Sequence, residues 1–374
     1  MNQPNRGALL AALKQKRSLS NMESNIDREE IYRRIKDGKV IPIISNSVWA
    51  EKTFILGDTN SRFSVDAQLS QIWAEIMEYP LGDGFDLARV ALYNRVNSED
   101  PEHAKRKYLN FLKDALLELA RSDQQTADAV QELRTQVNEL SVADVAHELG
   151  YPRYPSSDGD PIRLLARMNL PIYVTTSYFD FVERAIQAEG RKPQSQLCFW
   201  SGEETGITPE HRFNDKFVPT RETPLVYHLF GLEKYPRTMV LSEDDYLEFL
   251  VEISRGIDAH RPLLPLYLGE ALRSNSLILL GYRLYDWDFR VLFRGIIKPG
   301  LASLRSFGLV VQLDATKAGI MHNEDDTRAQ REAKYLKYLS EYFRDSDFKV
   351  DWGDTDTFVQ TLWNNYHKWS QGQL

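Results

Sequence analysis

Six short runs of branched and aromatic residues stand out from an otherwise mixed chain. They are VIPIIS (40–45), PIYVTTS (171–177), PLVYHLFG (224–231), LILLGY (277–282), FGLVVQLDA (307–315) and FKVDWG (348–353). Most lack apolar–polar alternation, so the pattern predicts strands buried on both faces, as in a parallel sheet. Helical patterns lie between them. In VLSEDDYLEFLVEI, Ser242 is placed as an N-cap with Asp245 three residues on, and Tyr246, Phe249, Leu250 and Ile253 share one face. The patterns starting at Asp180, at Asp286 and after the last strand at Asp354 each open on an acidic residue, which suits the positive end of a helix. Strand followed by acid-led helix, repeated, predicts an α/β fold: a Rossmann-like, doubly wound, mostly parallel sheet with helices on both faces.

Residues 64–150 break this rhythm. They hold no strand pattern, and in their clearest helical segment Tyr108, Phe111, Leu112, Ala115, Leu116 and Leu119 fall on one face. The stretch is far too long for one crossover and predicts an all-helical insertion. Residues 190–223, rich in Gly, Pro and polar side chains, predict a long loop or small subdomain with a strand at QLCFW. The expected division is an N-terminal arm or helix (1–30), a sheet domain (31–63 and 151–374) and the helical insertion (64–150). There is no internal repeat and no low-complexity tract.

Bulk properties narrow the partners. A chain of 374 residues with 42% hydrophobic and 27% charged residues can bury a large core as an ordinary globular protein. The net charge of −8 gives no global attraction for nucleic acid or an anionic membrane. The basic clusters KQKR (14–17) and HAKRK (103–107) are short and read as solvated helix faces. The lone Cys198 excludes an intrachain disulfide and any four-cysteine zinc site. No run of 18 apolar residues occurs, and the patch ALLAAL (8–13) is too short for a signal-peptide core, so a cytoplasmic location and no membrane are expected.

In an open parallel sheet, ligands bind at the carboxyl ends of the strands. Four strand ends carry suggestive residues. The first is Ile44-Ser45-Asn46-Ser47, a polar turn whose N–H groups suit a phosphate but which lacks the glycines that allow close approach. The second is Thr175-Thr176-Ser177, followed by Asp180; its hydroxyls suit a sugar or a water, or equally a turn capping the next helix. The third is His228, three residues before Gly231, which reads as a general base near neutral pH or as a structural core histidine. At the fourth, Gly281 allows close approach beside Tyr282, while Asp286 and Asp288 suit a helix cap or a ribose. No one of these is specific; their order and shared position carry the signal.

That ordered set resembles the bacterial sirtuin-like family, the NAD-binding fold related to sirtuin deacetylases. IISNS (43–47) stands where relatives carry a Gly-Ala-Gly-x-Ser type turn. TTSYFDFVE (175–183) is similar to the family's Thr-Thr-Asn-Tyr-Asp-x-x-x-Glu segment, and YHLFG (227–231) to its His-x-x-Gly, followed by LSEDDYLEFL (241–250). LLGYRLYDWDFRVLFR (279–294) is similar to its Gly-Tyr-Ser-x-x-Asp segment, and VVQLDA (310–315) and FKVDWGD (348–354) to its closing strands. The similarity covers most of 30–365. It implies NAD bound across the strand ends, with the diphosphate near Ile44 to Ser47 and the adenosine end near Gly281, Tyr282 and Gln312 to Asp314. Thr175, Thr176, Asp180, Gly231 and Asp286 complete the implied cofactor contacts. His228 is the implied general base, with Ser177 or Asn46 placing the water.

Two departures bear on that implication: Ser45-Asn46-Ser47 replaces the glycines, and Ser177 stands where the family's catalytic Asn falls. Catalysis is then slower, reliant on Asn46, or absent. Without cysteines for a zinc module, no metal and no protein deacetylation are expected. The theme among zinc-free relatives is hydrolysis of NAD to ADP-ribose and nicotinamide, as an antiphage effector that depletes NAD. An NAD glycohydrolase is therefore the leading expectation, working as a homo-oligomer or beside a partner ATPase or other defence-system subunit. The alternative is a catalytically degenerate module that binds NAD or ADP-ribose as a sensor or assembly scaffold; a third reading is an unrelated α/β nucleotide-binding protein.

Overall fold

The computed structural model describes residues 28–56, 64–98, 100–121, 126–154, 159–201, 206–212, 214, 216–255, 263–283, 286–297, 309–313, 337, 341 and 348–373. In chain order the strands are β1 (Val40–Ile44), β2 (Ile172–Thr175), β3 (Gln194–Leu197), β4 (Leu225–His228), β5 (Ser276–Leu280), β6 (Leu309–Leu313) and β7 (Phe348–Trp352). They form one sheet in the order β3-β4-β2-β1-β5-β6-β7, with every neighbouring pair parallel. The α/β, Rossmann-like fold expected from the pattern is thus present. All six expected runs fall on strands, and the seventh lies at QSQL, beginning two residues before QLCFW would place it.

Burial explains the missing alternation. Every residue of β1, β2, β4 and β5 is buried, since helices cover both faces of the sheet. Pro42 has no N–H to give a central strand. It sits where β1 pairs with β5 but not yet with β2, whose register begins at Ile43↔Val174. From β1 the chain runs one way to β2, out to the edge strand β3 and back in to β4, then crosses to β5 on the other side of β1. The β1/β5 boundary is therefore the topological switch point, where such sheets bind ligands.

Ahead of β1 lies α1 (Arg28–Lys36), and residues 1–27 of the expected arm lie outside the described residues. After β1 come α2 (Ser47–Thr53) and then α3 (Val65–Ile76), α4 (Leu87–Val96), α5 (Pro101–Arg121), α6 (Ala127–Gln136) and α7 (Val142–Glu148). No strand interrupts them among the described residues. Local chemistry sets their starts: Ser64 accepts from Ala67 N at 3.0 Å, Asp86 from Ala88 N at 3.1 Å, and Ser141 forms a reciprocal capping box with Asp144. On α5 the expected face is the inward one, with Tyr108, Phe111, Leu112 and Leu116 buried and Ala115 and Leu119 packed beside them. The remaining helices are α8 (Pro161–Arg167), α9 (Phe181–Ala188), α10 (Glu243–Arg255), α11 (Leu266–Ser274), α12 (Trp287–Leu292) and α13 (Thr355–Ser370). Ser242 caps α10 as expected, and Asp245 returns a bond to Ser242 N at 2.9 Å. Among the described residues no helix is long and apolar enough to cross a membrane.

Buried polar links fasten the helices of 64–150 to the sheet. Lys105, within HAKRK, is not solvated: it is buried, donates to Met239 O and lies 3.3 Å from Asp245. Arg184 of α9 reaches Asp144 of α7 at 2.6 Å. Glu233, in the loop after β4, accepts from Val142 N at 2.6 Å and Ala143 N at 3.1 Å, satisfying two free donors at the start of α7. Burial pushes the Glu233 carboxyl up to about 8, against the pull of those two donors and with Asp180 and Asp144 adding to the rise. A raised carboxyl pKa means that the folded chain holds this proton more tightly than the unfolded chain. The stabilisation from protonation is full below pH 4.5 and is lost as pH rises through about 8. In urea unfolding, the stability difference between wild type and Glu233→Gln should therefore fall across that range, by at most about 1.4 kcal/mol per pH unit. A difference independent of pH refutes the assignment.

Candidate functional site

The turn after β1 is locked to the turn after β5. Ser45 Oγ donates to Gly281 O at 2.8 Å, Ser47 Oγ also bonds Gly281 O, and the two hydroxyls are 2.7 Å apart. Gly281 has φ +76°, and a Cβ there would lie 2.5 Å from Val48 Cγ2 and 2.8 Å from each serine oxygen. Only glycine fits that close approach. The N–H of Ser47 is taken by Ser45 Oγ at 3.2 Å, and that of Val48 by Ser45 O. The serines of this turn, where the resemblance places glycines, thus bond inward, onto β5, rather than presenting these donors to a phosphate. Ile44 O accepts from Thr176 N and from Thr175 Oγ1, both at 3.0 Å, and Thr176 Oγ1 lies 3.1 Å from Tyr282 OH.

Asn46, on the same turn, faces the end of β2. Ser177 Oγ donates to Asn46 Oδ1 at 2.9 Å, and Asn46 Nδ2 donates to Asp66 Oδ1 at 3.2 Å. Asp66 lies in the first turn of α3. Burial pushes its carboxyl up to about 6, offset in part by Arg283. Two further carboxylates approach from beyond β5. Burial and its neighbours bring Asp286 up to about 7 and hold Asp288 well above the usual range, with Asp66 contributing to both rises. All three acids are half-buried, so each keeps some access to water in the crevice outside the strand ends. Beside it is a cavity of about 140 Å³ lined by Ser47, Glu51 and Lys52 of α2, by Gly281 to Arg283, and by Asp354 to Asp356 at the start of α13. Ion pairs cross its wall: Lys52–Asp356 at 2.6 Å and Arg283–Glu51 at 3.0 Å. The volume is below the roughly 300–1,000 Å³ of a small-molecule cleft.

His228 lies elsewhere. It ends β4, and strand alternation turns its side chain, like those of Val226 and Ser195 on the paired strand, onto the sheet face that α9 covers. It is 0% exposed. Its Nε2 meets Glu183 Oε1 of α9 at 2.7 Å, and its Nδ1 meets Ser177 O at 3.1 Å. A carboxylate and a carbonyl both accept, so both ring nitrogens donate and the ring is imidazolium. Burial opposes that charge, but Glu183 and the Ser177 carbonyl outweigh it and hold the His228 pKa above its ordinary value. Burial likewise works against the Glu183 carboxylate, yet His228 and the Ser195 hydroxyl, which donates at 2.6 Å, keep its pKa below the ordinary one. In this arrangement His228 has no lone pair with which to take a proton.

Of the expected catalytic residues, the structure joins Ser177 and Asn46 directly, and His228 to Ser177 through its backbone carbonyl. Gly231, with φ +85°, gives space to Thr238, whose carbonyl oxygen would lie 2.2 Å from a Cβ. Asp180 pairs with Arg184 at 2.6 Å. Gln312 lies on β6 opposite Asp351, and Asp314 lies outside the described residues. Asp66 and Glu183 were not singled out by sequence. Glu183 sits in TTSYFDFVE but at helix spacing from a strand partner, and Asp66 has only the Ser64 cap before it to mark a helix start. Among the described residues no group of three or more His, Cys, Asp or Glu side chains is placed to hold a metal ion.

Residues 171–339 match the family model of the SIR2-like domain, a stretch that begins at β2 and takes in Ser177, Glu183, His228 and Gly281. A comparison with curated proteins gives no match.

The buried pair makes an exacting test. Its stabilisation is full between about 4.5 and 6.5, and is lost as pH falls through the lowered Glu183 pKa or rises through the raised His228 pKa. Near pH 6, His228→Leu leaves Glu183 unpaired and should cost about 3–5 kcal/mol, whereas His228→Leu with Glu183→Leu should cost clearly less. Additive losses in that double-mutant cycle, read by denaturant unfolding, contradict an ion pair.

Proposed function

We propose that the chain, whose residues 171–339 match the SIR2-like domain, is a nucleotide-binding module that takes NAD or ADP-ribose at the β1/β5 switch point and holds it with little turnover. The observation that carries this reading is the setting of His228: wholly buried, with both nitrogens bonded to internal partners, the Glu183 carboxylate and the Ser177 carbonyl. Hydrolysis of NAD through that residue needs a base with a free lone pair facing the ribose. To supply one, His228 has to leave Glu183 and expose a buried carboxylate, at a cost of about 3–5 kcal/mol before any chemistry begins.

Support for binding comes from the crevice. Half-buried carboxylates at the strand ends suit ribose diols, and the cavity beside Gly281 has room for one end of a dinucleotide. A sensor or scaffold role follows, in which occupancy rather than product carries the information. NAD glycohydrolysis is the opposing outcome of the same experiment.

Purified chain titrated calorimetrically with NAD and with ADP-ribose is expected to bind both saturably. Chromatography of the NAD mixture after hours should show no nicotinamide above a protein-free control, and Ser177→Asn should not create release, because His228 stays paired. Enzyme-dependent nicotinamide release by the wild type overturns the reading in favour of a glycohydrolase, and absence of binding to both ligands overturns it outright.

A further inference from the structure

Building on the nucleotide-binding reading above, we propose that Asp66, supplied by the helices of 64–150, is a specificity residue that accepts the vicinal hydroxyls of the ribose distal to the adenine. Its place in the crevice is the first argument. Asn46 stands between Ser177 at the end of β2 and Asp66 on α3, on the same turn as Ser47, which lines the cavity. A dinucleotide with one end in that cavity and its chain laid towards Ser177 passes Asn46. Its second ribose then comes to the Asp66 carboxylate.

The second argument is the hydrogen-bond inventory. Asp66 Oδ1 accepts from Asn46 Nδ2, and among the described residues Oδ2 has no donor. An ionised carboxylate offers about four acceptor positions and can take both hydroxyls of a cis-diol. The third is electrostatic. Fixing α3 to Asn46 needs one acceptor, which an amide supplies as well as an acid. The carboxylate is present although burial and Glu51 disfavour its charge, with Arg283 and the Asn46 bond acting the other way; its own charge in turn raises Asp286 and Asp288. A charge kept against that field fits an acceptor of ligand hydroxyls better than a structural tie.

Asp66→Asn separates the two roles, since its side-chain oxygen keeps the bond from Asn46 while the charge and the spare acceptors go. The probes are ADP-ribose and ADP, which differ by the distal ribose. Wild type should bind ADP-ribose more tightly than ADP, with that preference falling as pH drops below about 6, where Asp66 takes up its proton. In Asp66→Asn the ADP-ribose affinity should fall about tenfold, the ADP affinity should stay, and the pH dependence should vanish. An unchanged melting temperature shows that the fold is intact; if it drops, Asp66→Glu should restore the ADP-ribose preference. Binding of both probes with no change of preference in Asp66→Asn overturns this inference alone. Failure of wild type to bind ADP-ribose or ADP overturns the nucleotide-binding reading and this one together.

Discussion

A single buried carboxylate, that of Glu183, orders the strand ends. It lies on α9 against the sheet, and taking a charge out of water there is costly unless it is paired. Two groups answer it: the Ser195 hydroxyl on β3 and the His228 imidazolium on β4. The second nitrogen of His228 then fixes the Ser177 carbonyl at the end of β2. With that backbone held, the Ser177 hydroxyl meets Asn46 beyond β1, and Asn46 meets Asp66 on the first helix of 64–150. The links run in series from one edge of the sheet, across its centre, to the helices that cover it. Each sets the position of the next.

The same series explains why residues that look alike on a strand end have different fates. Alternation sends His228 onto the face covered by α9, where it meets an acid rather than solvent. Ser45 and Ser47, one turn beyond β1, meet the carbonyl of Gly281 instead, because β1 and β5 are neighbours and Gly281 has no Cβ to keep them apart. Glycines in the β1 turn would leave that carbonyl without these two donors. The serines therefore stiffen the switch point while withdrawing donors from any phosphate. Asn46, between them in sequence, points the other way and is half-buried, which leaves it as the group of this turn turned towards the crevice.

Much of the frame was legible in the sequence because it rests on periodicity. Uninterrupted apolar runs gave the parallel strands, and Ser242 with Asp245 gave the start of α10. The long strandless stretch announced helices. β3 was harder: QSQL is half polar, and it becomes a strand because β4 offers it a parallel edge and Ser195 finds Glu183. The site was legible in its parts but not in its connections. Ser177, Asn46 and His228 were identified by their strand-end positions, yet a histidine's role depends on what its two nitrogens meet. Glu183 and Asp66 are 45 and 162 positions away from His228 along the chain, or 183 against 228 and 66 against 228, and no local pattern links them.

The relative strengths of the links say how the site responds to an occupant. The Ser177–Asn46 and Asn46–Asp66 bonds lie at the crevice, and a neutral bond of this kind contributes about 0.5–1.5 kcal/mol net, while one to a charged group contributes about 1.5–3 kcal/mol. A ligand hydroxyl can add a bond at the open Asp66 oxygen and leave no buried group unsatisfied. The Glu183–His228 pair is different, because parting it strands a charge in the core and costs about 3–5 kcal/mol. An occupant of the proposed site therefore engages the outer end of the series and leaves the inner pair closed. Binding in the proposed site changes how the helices of 64–150 are held through Asp66, and it does so without releasing the imidazole. That order of strengths favours a module that registers a nucleotide over one that consumes it.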